Sequence, residues 1–190
     1  MAGLAEAVAA IRDGRIVVIP TDTVYGVGAR PEAAATIFDL KQRPRDKALP
    51  VLGPDLDRLG GVADLDDDAR ALAREHWPGP LTLVVRRHPA FTDDLGGTDD
   101  GTVAVRVPAH PVALDLLRQT GPLAVTSANV SGEPPAHTFE DACKLGPGLV
   151  CLDGGTCDGV PSTVLSLVGE PKVLRAGSLD LSPWLSRRGS

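Results

Sequence analysis

Leu4, Val8 and Ile11 recur at the spacing that places them on one side of a helix, and Gly14 stands where a C-terminal cap belongs. The run Ile16-Val17-Val18-Ile19 then predicts a buried strand closed by Pro20. A second helix is predicted over 32–40, with Ile37, Phe38 and Leu40 as its core positions. A third follows Asp66-Asp67-Asp68, whose carboxylates suit the positive end of a helix. The same triplet could instead gather a metal, but its place at a helix start favours the solvated cap.

Strands are predicted over 81–85 and 102–107, joined by a loop-like segment containing Gly96-Gly97 and several Asp. The apolar spacing over 112–119 is helical, 123–125 reads as a short buried strand, and Thr138 with Asp141 forms a capping box. Strands over 149–152, 163–168 and 173–174 finish the pattern. Helices and strands interleave without an internal repeat or a Ser/Pro-rich linker. The pattern predicts one α/β domain with a mixed sheet over 1–180 and a peripheral tail over 181–190.

Length and composition fit a folded globule. At 190 residues the chain can bury roughly 70% of its unfolded surface without a disulfide or metal staple. Nineteen Lys and Arg stand against 25 Asp and Glu, a net charge of −6, so any polyanion site must be local rather than a basic surface. An aromatic content of 3% leaves few rings for stacking single-stranded bases. Cys143, Cys151 and Cys157 contain no C-x-x-C pair, which supports neither a zinc knuckle nor a secreted disulfide framework and fits a reducing cytoplasm. The N-terminus lacks a basic flank before an apolar signal core, and no apolar stretch has the length of a membrane span, so neither export nor membrane anchoring is expected.

Neither common phosphate cradle, G-x-x-x-x-G-K-[ST] or G-x-G-x-x-G after the first strand, is present. Cations instead crowd at Lys41, Arg43, Arg45 and Lys47 after the second helix, where they could grip a phosphate or simply complement the helix C-terminus. Pro20-Thr21-Asp22-Thr23-Val24-Tyr25-Gly26 sets hydroxyls, a carboxylate and the only Tyr at a strand end, the place where α/β sheets collect ligands. An Asx-turn between strand and helix explains Asp22 equally well. In Thr126-Ser127-Ala128-Asn129-Val130-Ser131-Gly132, extended geometry would put Ser127, Asn129 and Ser131 on one face. Arg106 points opposite to Val105 and Val107, into a cleft or into solvent, and Ser162, Thr163 and Arg175 sit at further element boundaries. None of His76, His88, His110 and His137 has a metal-ligand neighbour at helical spacing, and Cys151 and Cys157 read as packing residues. This reaches a cleft for an anion and a polar substrate, but no reaction.

Seven segments in register extend the picture. They are Pro-Thr-Asp-Thr-Val-Tyr-Gly from Pro20, Lys-Gln-Arg-Pro from Lys41, Trp-Pro-Gly-Pro-Leu-Thr from Trp77, Val-Arg-Val-Pro from Val105, Ser-Ala-Asn-Val-Ser-Gly from Ser127, Pro-Ser-Thr-Val from Pro161 and Leu-Arg-Ala-Gly from Leu174. Together they resemble the YrdC-like threonylcarbamoyl-AMP synthase family in its single-domain form. The resemblance implies a twisted α/β sheet around a concave, positively lined cavity. It also implies a reaction of L-threonine, bicarbonate or CO2 and ATP that yields threonylcarbamoyl-AMP and pyrophosphate for tRNA modification. The family's catalytic tetrad falls on Lys41, Arg43, Ser127 and Asn129. By the same resemblance Thr23, Tyr25, Arg106 and Ser162 line the threonine side, while Arg43, Lys47, Thr102, Ser127 and Arg175 contact ATP. Magnesium would arrive with ATP, no protein metal ligand is assigned, and a threonylcarbamoyl transferase complex would take the product, with tRNA bound weakly or indirectly. Leu52 departs from the family, where many members carry His. Two competing readings are a carbamoyl-adenylate domain of hydrogenase-maturation type, fed by carbamoyl phosphate, and a non-enzymatic RNA-binding module.

Overall fold

The computed structural model describes residues 2–99 and 101–187. Among the described residues ten strands form one mixed sheet: β1 (Val17–Ile19), β2 (Gly26–Ala29), β3 (Val51–Leu52), β4 (Ala63–Asp64), β5 (Leu81–Arg87), β6 (Thr102–Arg106), β7 (Leu123–Ser127), β8 (Val150–Cys151), β9 (Thr163–Ser166) and β10 (Lys172–Arg175). Their spatial order is β10-β9-β5-β6-β3-β7-β2-β1-β8, with β4 paired to β5. The helices are α1 (Leu4–Arg12), α2 (Ala35–Lys41), α3 (Leu56–Leu59), α4 (Asp67–His76), α5 (Pro111–Thr120), α6 (Phe139–Cys143) and α7 (Ser182–Ser186).

Strand register sorts the side chains into two faces. Leu83 opposite Val105, Val51 opposite Val105 and Ala124, and Leu165 opposite Leu83 put a continuous apolar layer on one face. Ile37 and Phe38 of α2 and Leu72 of α4 cover that layer to make the largest core cluster. The other face is covered only in part. Val17, Ile19, Leu123 and Val125 pack there against Ala7 and Ile11 of α1 and Leu116 of α5. Over β5, β6 and β9 that face carries no helix from this second cluster, and a cavity opens there.

The helix-start chemistry expected from sequence is present. Asp66 accepts from the Ala69 amide at 2.8 Å as the N-cap of α4, and Thr138 accepts from the Asp141 amide at 3.2 Å to start α6. The acidic triplet therefore caps a helix, and among the described residues no group of three or more His, Cys, Asp or Glu could hold a metal. No helix among the described residues is long and apolar enough to cross a membrane.

Two expectations are corrected. The chain leaving β1 does not enter a helix; it turns back as β2, antiparallel to β1, with Ile19 opposite Gly26. Gly26-Val27-Gly28-Ala29 shows little strand-forming preference because close approach dictates its glycines. A Cβ at Gly26 would stand 2.7 Å from Val125 Cγ1, and one at Gly28 would stand 3.0 Å from Cγ2. The tail also does more than trail. Leu181 is 3% exposed within the main core, with Trp184 and Leu185 of α7 packed against the same cluster, while residues 188–190 lie outside the described range. Thr163 Oγ1 holds the segment that leads there, donating to the Leu179 carbonyl at 2.7 Å.

Burial of Leu181 makes a prediction. Leu181→Ala should lower unfolding stability by about 2–4 kcal/mol, as truncating a core leucine does, whereas a peripheral residue would cost a few tenths. Urea denaturation followed by circular dichroism checks this.

Candidate active site

The cavity has a volume of about 330 Å³ and opens on the partly covered sheet face. Alternation and register bring its floor together: Thr82 stands opposite Val164, Leu52 opposite Arg106, and Gly26 opposite Ser127. Arg43, Arg106 and Arg175 line it, and no carboxylate is among its described lining residues. An acidic protein therefore holds a locally cationic cavity.

Arg106 is its most constrained member, at 5% exposure. Nε donates to the Gly79 carbonyl at 2.9 Å, Nη1 to Thr23 Oγ1 at 3.0 Å and Nη2 to Asp22 Oδ1 at 2.6 Å. The same Asp22 oxygen accepts from the Ala109 amide at 2.9 Å, just before α5. Sequence left open an Asx-turn built by Asp22, but a threonine shapes the turn. Thr21 Oγ1 donates to the Val24 carbonyl at 2.6 Å and accepts from the Thr23 and Val24 amides at 3.2 Å, leaving Asp22 free to pair with Arg106. Burial lowers the Arg106 pKa, the Asp22 carboxylate opposes that shift, and Arg175 adds to it.

Arg175 is held on the other wall. Its Nε and Nη2 donate to the Ser162 carbonyl at 3.1 and 2.9 Å, and Nη2 also reaches Ser162 Oγ at 3.0 Å. That hydroxyl lies 2.7 Å from Thr82 Oγ1, so a buried hydroxyl pair backs the guanidinium. Arg43 reaches the cavity from the segment after α2, with Nε on the Lys47 carbonyl at 2.9 Å and Nη2 on the Ala48 carbonyl at 3.0 Å. Burial lowers the pKa of both arginines. Guanidinium remains charged at physiological pH despite such shifts.

The structure thus gathers Thr23, Arg43, Arg106, Ser127, Ser162 and Arg175 around one cavity, with Leu52 in its wall. It does not gather the other candidates there. Tyr25 is fully buried beside Val18, Cys151 and Cys157, and its hydroxyl donates to the Gly155 carbonyl at 2.7 Å and accepts from the Gly154 amide at 3.1 Å. Lys41, at 1% exposure, donates to the carbonyls of Ser127 and Asn129 (2.6 Å to Asn129) and to Asn129 Oδ1 at 3.3 Å. Asn129 also donates through Nδ2 to the Val130 and Glu133 carbonyls. β7 ends at Ser127, so Asn129 and Ser131 do not continue its face. Thr102 shares the face of Ala104 and Arg106 but lies beyond the lining, its hydroxyl on the Asp99 carbonyl. Lys47 is exposed next to the lining residue Ala48, and Arg45 pairs with Asp94 over the Phe38 ring.

Thr82 and the Gly79 carbonyl are contributions that residue-type reasoning did not single out, although both lie in the Trp-Pro-Gly-Pro-Leu-Thr segment. The Trp77 indole donates to the Leu81 carbonyl at 2.7 Å and the Gly79 amide to the Val107 carbonyl at 2.9 Å, which fixes this corner against β6. Cys151 and Cys157 are buried. Burial, then Cys143, pushes the Cys151 thiol up to about 12, and burial raises Cys157, so neither is a thiolate nucleophile at neutral pH.

The family Sua5/YciO/YrdC, described as telomere recombination, matches residues 9–177. A curated Mycobacterium tuberculosis relative is 45% identical over 186 residues, covering 94% of this chain and 85% of its own length. A Pyrococcus abyssi protein named threonylcarbamoyl-AMP synthase is 41% identical over 180 residues, covering 90% of this chain and 53% of the relative. The crystal structure of P. abyssi Sua5 complexed with L-threonine matches with a TM-score of 0.90 and 36% identity, over 96% of this chain and 56% of that one. The chain spans about half the length of these two Pyrococcus proteins. HypF of T. kodakarensis shares the fold alone, with a TM-score of 0.74 at 19% identity over 92% of this chain and 24% of that one.

Two outcomes follow from the site's electrostatics. Asp22→Asn leaves the Arg106 guanidinium buried without its counter-charge and should cost about 3–5 kcal/mol of stability, measured by chemical denaturation. A loss below about 1 kcal/mol, the scale of exposed pairs, would contradict the buried pair. The second concerns Lys41, whose ammonium is pushed down to about 8 from 10.5 by burial first and Arg43 second. Between those values the unfolded chain binds more protons than the folded protein, so this group makes stability rise with pH through that window, while its charged form is disfavoured below it. The stability gap between wild type and Lys41→Met should therefore shift in favour of wild type between neutral pH and about pH 9.5.

Proposed function

The chain belongs to the Sua5/YciO/YrdC family, and we propose that it is an L-threonylcarbamoyladenylate synthase, joining L-threonine, bicarbonate or CO2 and ATP with release of pyrophosphate. The observation that carries this reading is the convergence of Arg43, Arg106 and Arg175 on a cavity without a lining carboxylate, next to the hydroxyls of Thr23, Ser127 and Ser162. Such a site favours anions at both ends, a carboxylate on one side and phosphates on the other.

The threonine amine forms an N–C bond with CO2 and loses a proton, giving a carbamate. A carbamate oxygen then attacks the α-phosphorus of ATP, and the bond to the bridging oxygen breaks to release pyrophosphate. The nucleophile is already anionic, so the chain's task is to place the reactants and offset charge. Thr23, Arg106 and Ser162 are assigned to threonine; Arg43, Ser127 and Arg175 are assigned to ATP. Lys47, exposed next to the lining residue Ala48, is available to phosphates that extend from the mouth. Lys41 and Asn129 are not assigned a contact with the reacting atoms.

Magnesium enters as the Mg·ATP substrate and offsets charge on the leaving pyrophosphate. The donor set supports that assignment, because the Asp22 carboxylate is engaged by Arg106 and Ala109 and no carboxylate is among the described lining residues of the cavity. The product would pass to a cytoplasmic threonylcarbamoyl transferase that modifies tRNA. A net charge of −6 supports weak or indirect tRNA contact by this chain.

Pyrophosphate release from Mg·ATP tests the reading. Release should require threonine and bicarbonate together and proceed without tRNA, because the carbamate exists only when both substrates are supplied. Release that instead demands carbamoyl phosphate would point to hydrogenase-maturation chemistry, and none under any combination would point to a binding module. Undiminished release with threonine omitted and CO2 stripped would defeat the assignment.

A further inference from the structure

We propose that Lys41 and Asn129 are positioning residues, a brace that sets the end of β7 so that Ser127 faces the cavity; this rests on the adenylate-forming reading above. α2 packs into the main core through Ile37 and Phe38, and Lys41 at its end is buried but is not among the residues that line the cavity. An ammonium has three N–H donors. Here their acceptors are the Ser127 carbonyl, the Asn129 carbonyl and Asn129 Oδ1, which leaves no donor for a phosphate. No carboxylate pairs with Lys41 among the described residues, so carbonyl dipoles alone offset its charge.

Both ends of the brace are tied down. The Ser131 amide donates to the Lys41 carbonyl at 3.2 Å, and the Ala128 amide donates to the Tyr25 carbonyl at 2.8 Å. Asn129 Nδ2 closes the following turn on Val130 and Glu133 at 2.9 and 2.7 Å. Beyond Lys41 the chain passes through Gln42 in the left-handed region (φ 49°), and the Arg43 amide returns to the Phe38 carbonyl at 3.0 Å. One clamp thus joins the end of α2, from which Arg43 departs, to the end of β7, where Ser127 stands. Two of the four motif residues face the cavity, and the other two face each other.

A double-mutant cycle separates acting through Ser127 from touching the nucleotide. Threonine-dependent pyrophosphate release and Mg·ATP affinity by calorimetry are measured for Lys41→Met, Ser127→Ala and the double variant, below the unfolding temperature of each. Asn129→Ala runs in parallel in case Lys41→Met does not fold. Lys41→Met or Asn129→Ala should lower turnover or affinity on the order of tenfold in wild type and by less than about threefold in the Ser127→Ala background. Equal factors in both backgrounds would show that Lys41 contacts ATP itself and would overturn the brace. Amide hydrogen exchange over residues 127–131 gives a readout that needs no substrate. It should accelerate in Lys41→Met and Asn129→Ala, and unchanged exchange would also overturn the proposal. Accelerated exchange in the two variants together with no pyrophosphate release from the wild-type protein would reject the enzymatic reading and leave the brace standing.

Discussion

A guanidinium taken out of water must have its charge and its N–H groups answered by the protein, and Arg106 meets that demand by tying four segments together. It belongs to β6. Its partners come from the β1–β2 connection through Asp22 and Thr23 and from the corner before β5 through Gly79, while Asp22 carries the link on to Ala109 at the start of α5. In the sheet the β1–β2 hairpin and β6 are separated by β7 and β3, so these side-chain bonds link strands that are not neighbours. Without that cluster the partly covered face would lack its fixed wall.

The remaining cavity cations follow the same rule with weaker demands. Arg175 is answered by Ser162, which is backed by Thr82, and Arg43 by two carbonyls of its own loop. Each guanidinium has its orientation set before any ligand arrives, so little side-chain freedom remains to be lost on binding. Asp22 hydrogen-bonds Arg106 and Asp46 acts on Arg43 through its charge, and neither carboxylate is among the described lining residues. The cationic character of the cavity is therefore local. At a screening length of about 10 Å the acidic residues elsewhere do little to cancel it.

Much of the scaffold was legible along the chain, because periodic burial is written locally. Leu4, Val8 and Ile11 announced α1, Asp66 and Thr138 announced the starts of α4 and α6, and β5, β6 and β7 followed from their apolar runs. The short elements β2, β3 and β4 were not legible. Two glycines dominate β2, and β3 and β4 have only two residues each, so neither periodicity nor propensity can mark them.

Residue types and motif order by themselves determined that the chain holds a cluster of cations and strand-end hydroxyls in an acidic α/β protein, and they carried the resemblance to its family. What tertiary structure decided was which of those groups face one space. Lys41 and Arg43 are two residues apart, yet one is spent on the carbonyls at the end of β7 and the other enters the cavity, because α2 ends at Lys41 and the chain turns through Gln42 in the left-handed region before Arg43. Tyr25 and Thr23 divide in the same way, one locking the Gly154–Gly155 turn and the other holding Arg106. Charge and hydrogen-bonding capacity are properties of a residue and can be read in order along a chain. The partner that uses them is set by strand register and by which sheet face is left open, and neither exists until the sheet is assembled.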